Sequence, residues 1–256
     1  MKENPPAVPM DALLQFIRED APFGDMTSEA VIPDVSCHAV IRAEQSGIIA
    51  GLEESAMLFT HFGAEVEFRV SDGDRVKTGD TLLLLSGKAK AILLVERTAL
   101  NIIGRMSGIA TRTRSMADIV SKVNPRCRVA GTRKTCPGFR ALDKKALILG
   151  GGNPHRMNLS DGILIKDNHL ALVPLPDAIR RAKDVCAYKR VEVEVETADD
   201  ARIAAQAGAD IVMLDNMSPG QIKKTLALLE HEGLRERVVI ELSGGITPDT
   251  IQDYAA

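Results

Sequence analysis

The second half of the chain alternates short apolar runs with longer helical patterns. The apolar runs, which predict strands, cover residues 127–130, 163–166, 191–195, 211–214 and 238–242. Helical patterns between them lie near residues 141–149, 178–187, 198–207 and 219–232, and a last predicted helix begins at Pro248. A regular strand-then-helix order is typical of parallel strands joined by crossover helices. We therefore predict either a β/α barrel or an open doubly wound sheet for this half.

The first half carries a different pattern. Residues 10–19 predict a short helix, and from about residue 36 to 85 the apolar positions tend to recur every second residue, as in strands. Residues 91–123 carry an apolar stripe at helical spacing, which predicts one long helix. Gly104 and Gly108 lie four residues apart within it, so we expect either a close backbone neighbour or a bend there. We interpret this half as a small α+β sandwich.

Composition narrows the class of protein. The 256 residues are 45% hydrophobic and 26% charged. No apolar run approaches the ~20 residues of a membrane span, and the amino terminus lacks a secretory pattern. The four cysteines are scattered without a C-x-x-C pair, which favours a reducing, cytoplasmic location. Only 3% of residues are aromatic, which argues against single-stranded nucleic acid as a partner. We expect a cytoplasmic protein with neither a membrane nor a nucleic acid partner.

The charge is unevenly distributed along the chain. The net charge is −3, yet residues 126–166 contain nine basic and two acidic side chains, so this window carries +7 and the remainder −10. The bases are spaced among Gly, Thr, Pro and His instead of forming a lysine–arginine tract. A solvated basic face is one interpretation, and a pocket for an anion is the one we favour.

Polar clusters follow all five predicted strands. In order they are Gly131-Thr132-Arg133-Lys134-Thr135, Lys166-Asp167-Asn168-His169, Glu192 with Glu194 and Glu196, Asp215-Asn216, and Ser243-Gly244-Gly245-Ile246. In parallel α/β folds the catalytic groups collect at the carboxyl ends of the strands. One such cluster is weak evidence, whereas five are hard to attribute to packing. They predict a site at this edge of the sheet.

Each cluster suits a particular ligand chemistry. Cations at Arg133, Lys134, Arg156 and Lys166 suit carboxylates or phosphates, and backbone N–H groups of Ser243-Gly244-Gly245 suit a phosphate. Glu194 and Asp215 offer oxygen ligands for Mg²⁺, although, taken alone, a role as counter-ions for the lysines is narrowly the favoured interpretation. His155 follows a triple glycine and precedes Arg156, and it fits a binding role as well as an ordinary hydrogen-bonded one.

Other chemistries lose support from the motifs that the sequence lacks. It contains no dinucleotide-binding or P-loop glycine motif, no H-E-x-x-H and no G-x-S-x-G. Residues 66–85 also look like the hairpin of a biotinyl or lipoyl carrier with Lys77 near its tip. A plain connection between strands is the simpler interpretation of that turn. A non-catalytic carrier or anion-binding protein is therefore the alternative class.

The motifs resemble a known family, the quinolinate phosphoribosyltransferases. The resemblance lies in GTRKTCPGFR, GGGNPHRMNLSDGILIKDNHL, VEVEVE, LDN and SGGI, together with GDMTS and ERTALNIIGRMSGIAT upstream. It covers nearly the whole chain. It implies an N-terminal α/β sandwich, residues 1–110, and an incomplete, open α/β barrel of TIM-like type, residues 111–256.

The resemblance also implies an activity. Members transfer a phosphoribosyl group from phosphoribosyl pyrophosphate to quinolinate with Mg²⁺, and release pyrophosphate and CO₂ in the de novo synthesis of NAD. It assigns the quinolinate carboxylates to Arg133, Lys134, His155, Arg156 and Lys166, with Thr132 beside them and Arg97 supplied by the partner in a homodimer. It assigns ribose and metal to Glu194 and Asp215, and phosphate to Ser243, Gly244 and Gly245. Lys134, Lys166, Glu194 and Asp215 are the expected catalytic residues.

Three departures and two related activities qualify the resemblance. Gly131 and Cys136 stand where many relatives are expected to carry Asp and Thr, and neither replaces a cation. The family continues beyond the position of Ala256 with a strand and a glycine loop, so we expect either a truncated chain or a different barrel closure.

Nicotinate phosphoribosyltransferase shares the fold, and a molybdenum-transport-associated homologue shares much sequence. The Lys166–His169 cluster and the paired carboxylate clamp favour quinolinate over both.

Overall fold

A computed structural model describes residues 8–185 and 187–256. The chain forms two compact units, of which the first ends at Met157 and the second begins at Asn158. The helices of the first unit are α1 (Met10–Asp20), α2 (Met26–Val31), α3 (Leu52–His61), α4 (Ala89–Val123) and α5 (Arg140–Leu149), and its strands are β1 (Ser36–Arg42), β2 (Gly47–Ile48), β3 (Glu65–Phe68), β4 (Arg75–Val76) and β5 (Thr81–Lys88). The predicted domain boundary after residue 110 stays a prediction.

The first unit contains a small antiparallel sheet with the strand order β1-β5-β3. Ala39 faces Leu85 across the first pair of strands, and Val66 faces Leu85 across the second. Both neighbours of Leu85 lie on the same face and pack against the buried core, which also includes Phe59 and Leu83. The apolar residues at every second position, which predicted strands, are therefore the residues on the inner face of the sheet, and the residues between them face solvent.

Helix α4 is 35 residues long, and its apolar stripe is buried, as predicted. A Cβ atom added to Gly104 or Gly108 would meet nothing within 4 Å among the described residues, so the expected close backbone neighbour at these glycines is wrong. The close approach lies elsewhere, because a Cβ on Gly47 would stand 2.5 Å from Thr111 Oγ1. Thr111 in turn accepts the Ile48 N–H at 2.8 Å, which ties β2 to the helix.

The second unit is a parallel α/β layer. Its strands are β6 (Ile163–Ile165), β7 (Val191–Val195), β8 (Ile211–Asp215) and β9 (Val239–Ser243), and its helices are α6 (Asp167–Leu170), α7 (Leu175–Val185), α8 (Ala198–Gln206), α9 (Pro219–His231) and α10 (Ile251–Ala255), with a 3₁₀ turn at Arg235–Arg237. The strands pair in the order β6-β7-β8-β9, all parallel. The core of this unit includes Val193, Val212 and Leu214. The alternation of strand and helix predicted here is confirmed.

Several predicted elements differ from the structure. Residues 127–130 form no strand, and only one parallel bridge joins Ala130 to Asn153. Helix α3 was not predicted, because its buried positions are mixed with Glu54 and Ser55, which are also buried. The last helix begins at Ile251 instead of Pro248. The predicted helix 178–187 includes residue 186, which lies outside the described residues. Among those described, no helix has the length and apolar character that a membrane crossing needs.

Candidate active site

The polar clusters of the second unit lie along one edge of its sheet. Lys166 directly follows β6, Glu194 lies one residue before the end of β7, and Asp215 and Ser243 are the last residues of β8 and β9. Because the four strands are parallel and neighbouring, their carboxyl ends meet at the same edge. The sequence predicted that these four clusters lie at the carboxyl edge of the sheet, and in the structure they do.

A lysine–carboxylate contact marks the first half of this edge. Lys166 Nζ donates to Glu194 Oε2 at 2.6 Å, and the two side chains are 42% and 16% exposed. The backbone N–H of Lys166 donates to His169 Nδ1 at 2.9 Å, across the first turn of α6. The lysine is therefore held at both its backbone and its side chain, while its ammonium stays accessible to a ligand.

The second half of the edge is a contact between two loops. Asp215 and Ser243 are direct partners across β8 and β9, and Asn216 N–H donates to the Ser243 carbonyl at 2.9 Å. Gly244 and Gly245 have φ angles of 92° and 65°, a region that favours glycine. The positive φ values turn the chain sharply after β9, which leaves a short glycine loop beside Asp215.

The cationic loops of the first unit also lie side by side. Gly131 N–H donates to the Asn153 carbonyl at 2.9 Å, and Asn153 N–H donates to the Val129 carbonyl at 2.8 Å. The Asn153 side chain accepts the His155 N–H at 2.8 Å, and His155 has a left-handed φ of 55°. These bonds align the segment that carries Arg133 and Lys134 with the segment that carries His155 and Arg156.

Arg133 is the most informative side chain of these loops. Its Nε is buried and has no hydrogen-bond partner among the described residues. A buried cationic donor without an acceptor is destabilising, and an anionic ligand would satisfy it. Thr132 accepts the Lys134 N–H at 3.1 Å through its hydroxyl, and both residues are exposed. The first unit thus presents a partly covered arginine beside an exposed lysine.

Part of the basic window serves the fold instead. Lys144 and Lys145 are buried, and Lys144 Nζ donates to the Pro154 carbonyl. Arg140 donates to Thr135 Oγ1 at 3.1 Å and to the Met157 carbonyl at 3.4 Å. The favoured interpretation of the whole window as an anion pocket is therefore too broad. Lys144 and Arg140 hold the loops that carry the other bases, and Lys145 contacts the carboxylates of Glu53 and Glu54.

Two arginines on α4 differ in their side-chain partners. Arg97 is exposed. Arg105 forms two hydrogen bonds to the buried Asp143, at 2.7 and 2.8 Å, and its guanidinium lies 5.3 Å from the Phe139 ring centre. The bond to Asp143 raises the pKa of Arg105. Arg105 is thus committed to its own unit, whereas Arg97 remains available to a ligand or a second chain.

Three polar residues of these loops were given no individual role from the sequence, although His169 and Asn216 belong to the predicted strand-end clusters. Asn153 aligns the two cationic loops, His169 accepts the backbone N–H of Lys166, and Asn216 donates to Asp215 Oδ2 at 2.6 Å. Asn153 and Asn216 follow a glycine run and a strand end, where asparagine's tolerance of turns is a usable signal. The individual hydrogen bonds have no signature in the sequence pattern.

The parallel α/β fold, the lysines and carboxylates at its strand ends and the glycine loop are typical of α/β enzymes that bind anionic substrates. Comparison with known families makes the class specific. Residues 25–107 match the family described as quinolinate phosphoribosyl transferase, N-terminal domain, and residues 109–256 match its C-terminal domain. The chain belongs to the quinolinate phosphoribosyltransferase family and is an enzyme.

Relatives named nicotinate-nucleotide pyrophosphorylase [carboxylating] agree with this assignment. A probable one from Methanothermobacter thermautotrophicus is 48% identical over 96% of this chain and 90% of its own, and the Homo sapiens protein is 33% identical over 97% and 84%. The solved structure of nicotinate-nucleotide pyrophosphorylase from Francisella tularensis superposes with a TM-score of 0.89 at 32% identity, covering 100% of this chain and 91% of that one. These matches confirm the predicted α/β class, with a small N-terminal sheet domain and a C-terminal parallel sheet.

Proposed function

We propose that this enzyme transfers the phosphoribosyl group of phosphoribosyl pyrophosphate to quinolinate and decarboxylates the product to nicotinate mononucleotide. The observation that carries the proposal is the family match over both halves of a chain whose loops hold the required cations, carboxylates and glycine turn. The products would be pyrophosphate, CO₂ and the nucleotide that feeds NAD synthesis.

The cationic loops are proposed to hold the two carboxylates of quinolinate. Adjacent ring carboxylates need several convergent cations, and Arg133 and Lys134 on one segment run beside His155 and Arg156 on the next. The unsatisfied Arg133 Nε supports a carboxylate ligand at this segment. Lys166 is proposed to bind an anionic group of the substrate at its own strand end.

The strand-end carboxylates are proposed to assist ribosyl transfer. As the bond from ribose C1 to pyrophosphate breaks and the bond to the pyridine nitrogen forms, C1 becomes electron-poor, and Glu194 and Asp215 would stabilise it electrostatically. The resulting ring nitrogen carries a positive charge. This charge stabilises the electron pair that stays on the adjacent ring carbon when its carboxylate leaves as CO₂, and a proton then bonds to that carbon.

Mg²⁺ is proposed as the metal that accompanies phosphoribosyl pyrophosphate. Magnesium prefers oxygen ligands and keeps several waters or phosphate oxygens, so one or two protein carboxylates suffice. Asp215 fits this requirement because Asn216 occupies only its Oδ2 in the described bonds. Glu194 also keeps one oxygen without a described bond, but it fits less well as a direct ligand because the Lys166 ammonium at its other oxygen already offsets its negative charge. The ion would neutralise the departing pyrophosphate.

The glycine turn after β9 is proposed to bind a phosphate group of the substrate. Gly244 and Gly245 have no side chains of their own to cover their backbone N–H groups, and positive φ angles at successive residues are typical of a small anion-binding concavity. Ser243 adds a hydroxyl at the same turn.

A direct assay tests the proposal. The purified chain is incubated with Mg²⁺, phosphoribosyl pyrophosphate and quinolinate labelled at the departing carboxylate, with nicotinate as the matched control substrate. We expect labelled CO₂, pyrophosphate and a nucleotide with quinolinate, and little nucleotide with nicotinate. Product from nicotinate alone would instead assign the chain to the nicotinate enzymes. The human nicotinic acid phosphoribosyltransferase structure, at 11% identity and a TM-score of 0.59, shares only the fold.

We further propose a cytoplasmic homodimer in which Arg97 serves the partner's site. Arg97 is exposed on α4, and an isologous dimer can place it beside its neighbour's ligand. Cys37, Cys127 and Cys136 are free thiols, which supports a reducing compartment.

Mixing Arg97→Ala with Lys134→Ala chains tests the shared site. After subunit exchange, half of the dimers are mixed and each has one intact site, so activity should return to about a quarter of the native level. No recovery after proven exchange would place Arg97 in its own subunit's site.

A further inference from the structure

Asn216 adopts a backbone conformation that side chains rarely take. Its φ is 54°, in the left-handed region, and among the described residues other than glycine only His155 shares this property. A left-handed residue after a strand turns the chain sharply, and asparagine is among the non-glycine residues that tolerate it best. Such a conformation persists when surrounding contacts over-determine it, and it is frequent at functional sites.

Three contacts determine the position of Asn216. Its side-chain Nδ2 donates to Asp215 Oδ2 at 2.6 Å, and its backbone N–H donates to the Ser243 carbonyl at 2.9 Å. Gly244 packs so closely that an added Cβ would lie 2.6 Å from the Asn216 nitrogen and would overlap its Oδ1. One residue therefore contacts the last residue of β8 and the loop that follows β9.

We propose that Asn216 is a positioning residue that orients the Asp215 carboxylate and locks it to the Ser243-Gly244 turn. This inference rests on the proposed function, in which Asp215 serves the ribose and metal and the turn binds phosphate. The amide holds Oδ2, which leaves Oδ1 for a ligand. The backbone bond fixes the distance between this oxygen and the turn.

The contacts explain why this position needs asparagine. Glycine could adopt the same φ and keep the backbone bond to Ser243, but it has no amide for Asp215. Alanine would lose the amide and would also strain the left-handed backbone. Aspartate tolerates the conformation but replaces the donor with an acceptor facing another carboxylate. The side chain and the backbone of Asn216 can therefore be tested separately.

The key experiment compares Asn216→Gly with the native enzyme. Calorimetric titration measures binding of Mg²⁺-phosphoribosyl pyrophosphate and of quinolinate, thermal unfolding measures stability, and steady-state kinetics gives kcat and both KM values. We expect phosphoribosyl pyrophosphate binding to weaken about 10- to 100-fold, as for other partners that orient a metal-site carboxylate. Quinolinate binding and the melting temperature should stay near the native values, because the backbone bond is kept.

Two further variants keep the outcome interpretable. Asn124→Gly removes an asparagine that accepts the Arg126 N–H at 3.1 Å after α4, and it controls for the general effect of this substitution. Asn216→Ala should show the binding loss of Asn216→Gly together with a lower melting temperature. If Asn216→Gly binds phosphoribosyl pyrophosphate like the native enzyme, the positioning role is wrong. If the native enzyme itself makes no product from quinolinate, the proposed function fails, which is a separate result.

Discussion

Each unit of this enzyme contains a lysine that contacts a carboxylate at less than 3 Å, yet the two lysines have different surroundings. In the first unit, Lys145 contacts Glu53 at 2.5 Å and Glu54 at 2.7 Å, and Asp72 lies 3.8 Å away. The side chains of Lys145, Glu54 and Asp72 are 6%, 3% and 3% exposed. In the second unit, Lys166 meets Glu194 with 42% of its side chain exposed.

The buried cluster is electrostatically unbalanced. Lys145 lies within 3.8 Å of three carboxylates, of which Glu54 and Asp72 are buried and Glu53 is 64% exposed. Glu54 Oε2 is buried and has no hydrogen-bond partner among the described residues. Burial alone would lower the pKa of Lys145, but its hydrogen bonds to Glu53 and Glu54, together with the negative charges of Glu54 and Asp72, outweigh burial, so its pKa is raised. Burial raises the pKa of Asp72. Lys145 therefore offsets the negative charge of carboxylates that are buried away from water.

The comparison teaches that a short lysine–carboxylate distance does not by itself indicate catalysis. A closed contact with several carboxylates and little exposure holds the fold together, because removal of either sign leaves a buried charge. An open contact at the carboxyl edge of a parallel sheet leaves the ammonium accessible to a ligand, at the edge where such folds usually bind their ligands. Three experiments test this distinction, in order of decreasing effect.

The largest effect is expected for Lys145→Ala. It leaves the buried Glu54 and Asp72 without a cation, and breaking a buried pair in this way costs about 3–5 kcal/mol. The measurement is the free energy of unfolding from urea titration at neutral pH. Lys183→Ala is the matched control, because Lys183 contacts Asp210 at 2.6 Å with both side chains about one-third exposed, and we expect a loss below about 1 kcal/mol. Similar losses for the two variants would remove the distinction.

An intermediate effect is expected for Lys166→Met, which keeps the length of the side chain and removes the charge. Stability should change by less than about 1 kcal/mol, because the contact is open to solvent. The loss of one charged hydrogen bond to substrate should lower kcat/KM by about 10- to 150-fold, equivalent to about 1.5–3 kcal/mol. Kinetics and unfolding are measured on the same preparation. A large stability loss with unchanged kcat/KM would reverse the roles of Lys145 and Lys166.

The smallest effect concerns Asp72 and pH. Because its pKa in the folded protein is raised above the ordinary 3.8, protonated Asp72 favours folding, and this contribution is lost as pH rises from 3.8 through the folded value. Asp72→Asn should flatten the pH dependence of stability in that window. Asparagine can still accept the Leu52 N–H, which Asp72 accepts at 2.9 Å, so stability at neutral pH should change by at most about 1 kcal/mol. An unchanged slope would show that Asp72 does not titrate there.

The second unit was largely predictable, because its elements depend on local periodicity. The runs at 191–195 and 211–214 became β7 and β8, the latter ending one residue later, at Asp215. Parallel strands then bring Glu194, Asp215 and Ser243 to one edge without further information. The prediction of a strand at residues 127–130 was wrong, because tertiary contacts rather than local periodicity decide the structure of this segment. It carries strand-like residues, but its backbone bonds go to the loop at Asn153, and only one bridge forms.

The sequence by itself determined the alternation of strands and helices, the family motifs and the residue types that meet at the carboxyl edge of the parallel sheet. Only the tertiary structure decided which bases of the basic window face solvent. Lys145 lies within that window, and its partners Glu53, Glu54 and Asp72 are more than 70 residues away in the chain. Burial and partner choice depend on contacts between distant segments, and neither residue type nor local spacing encodes those contacts.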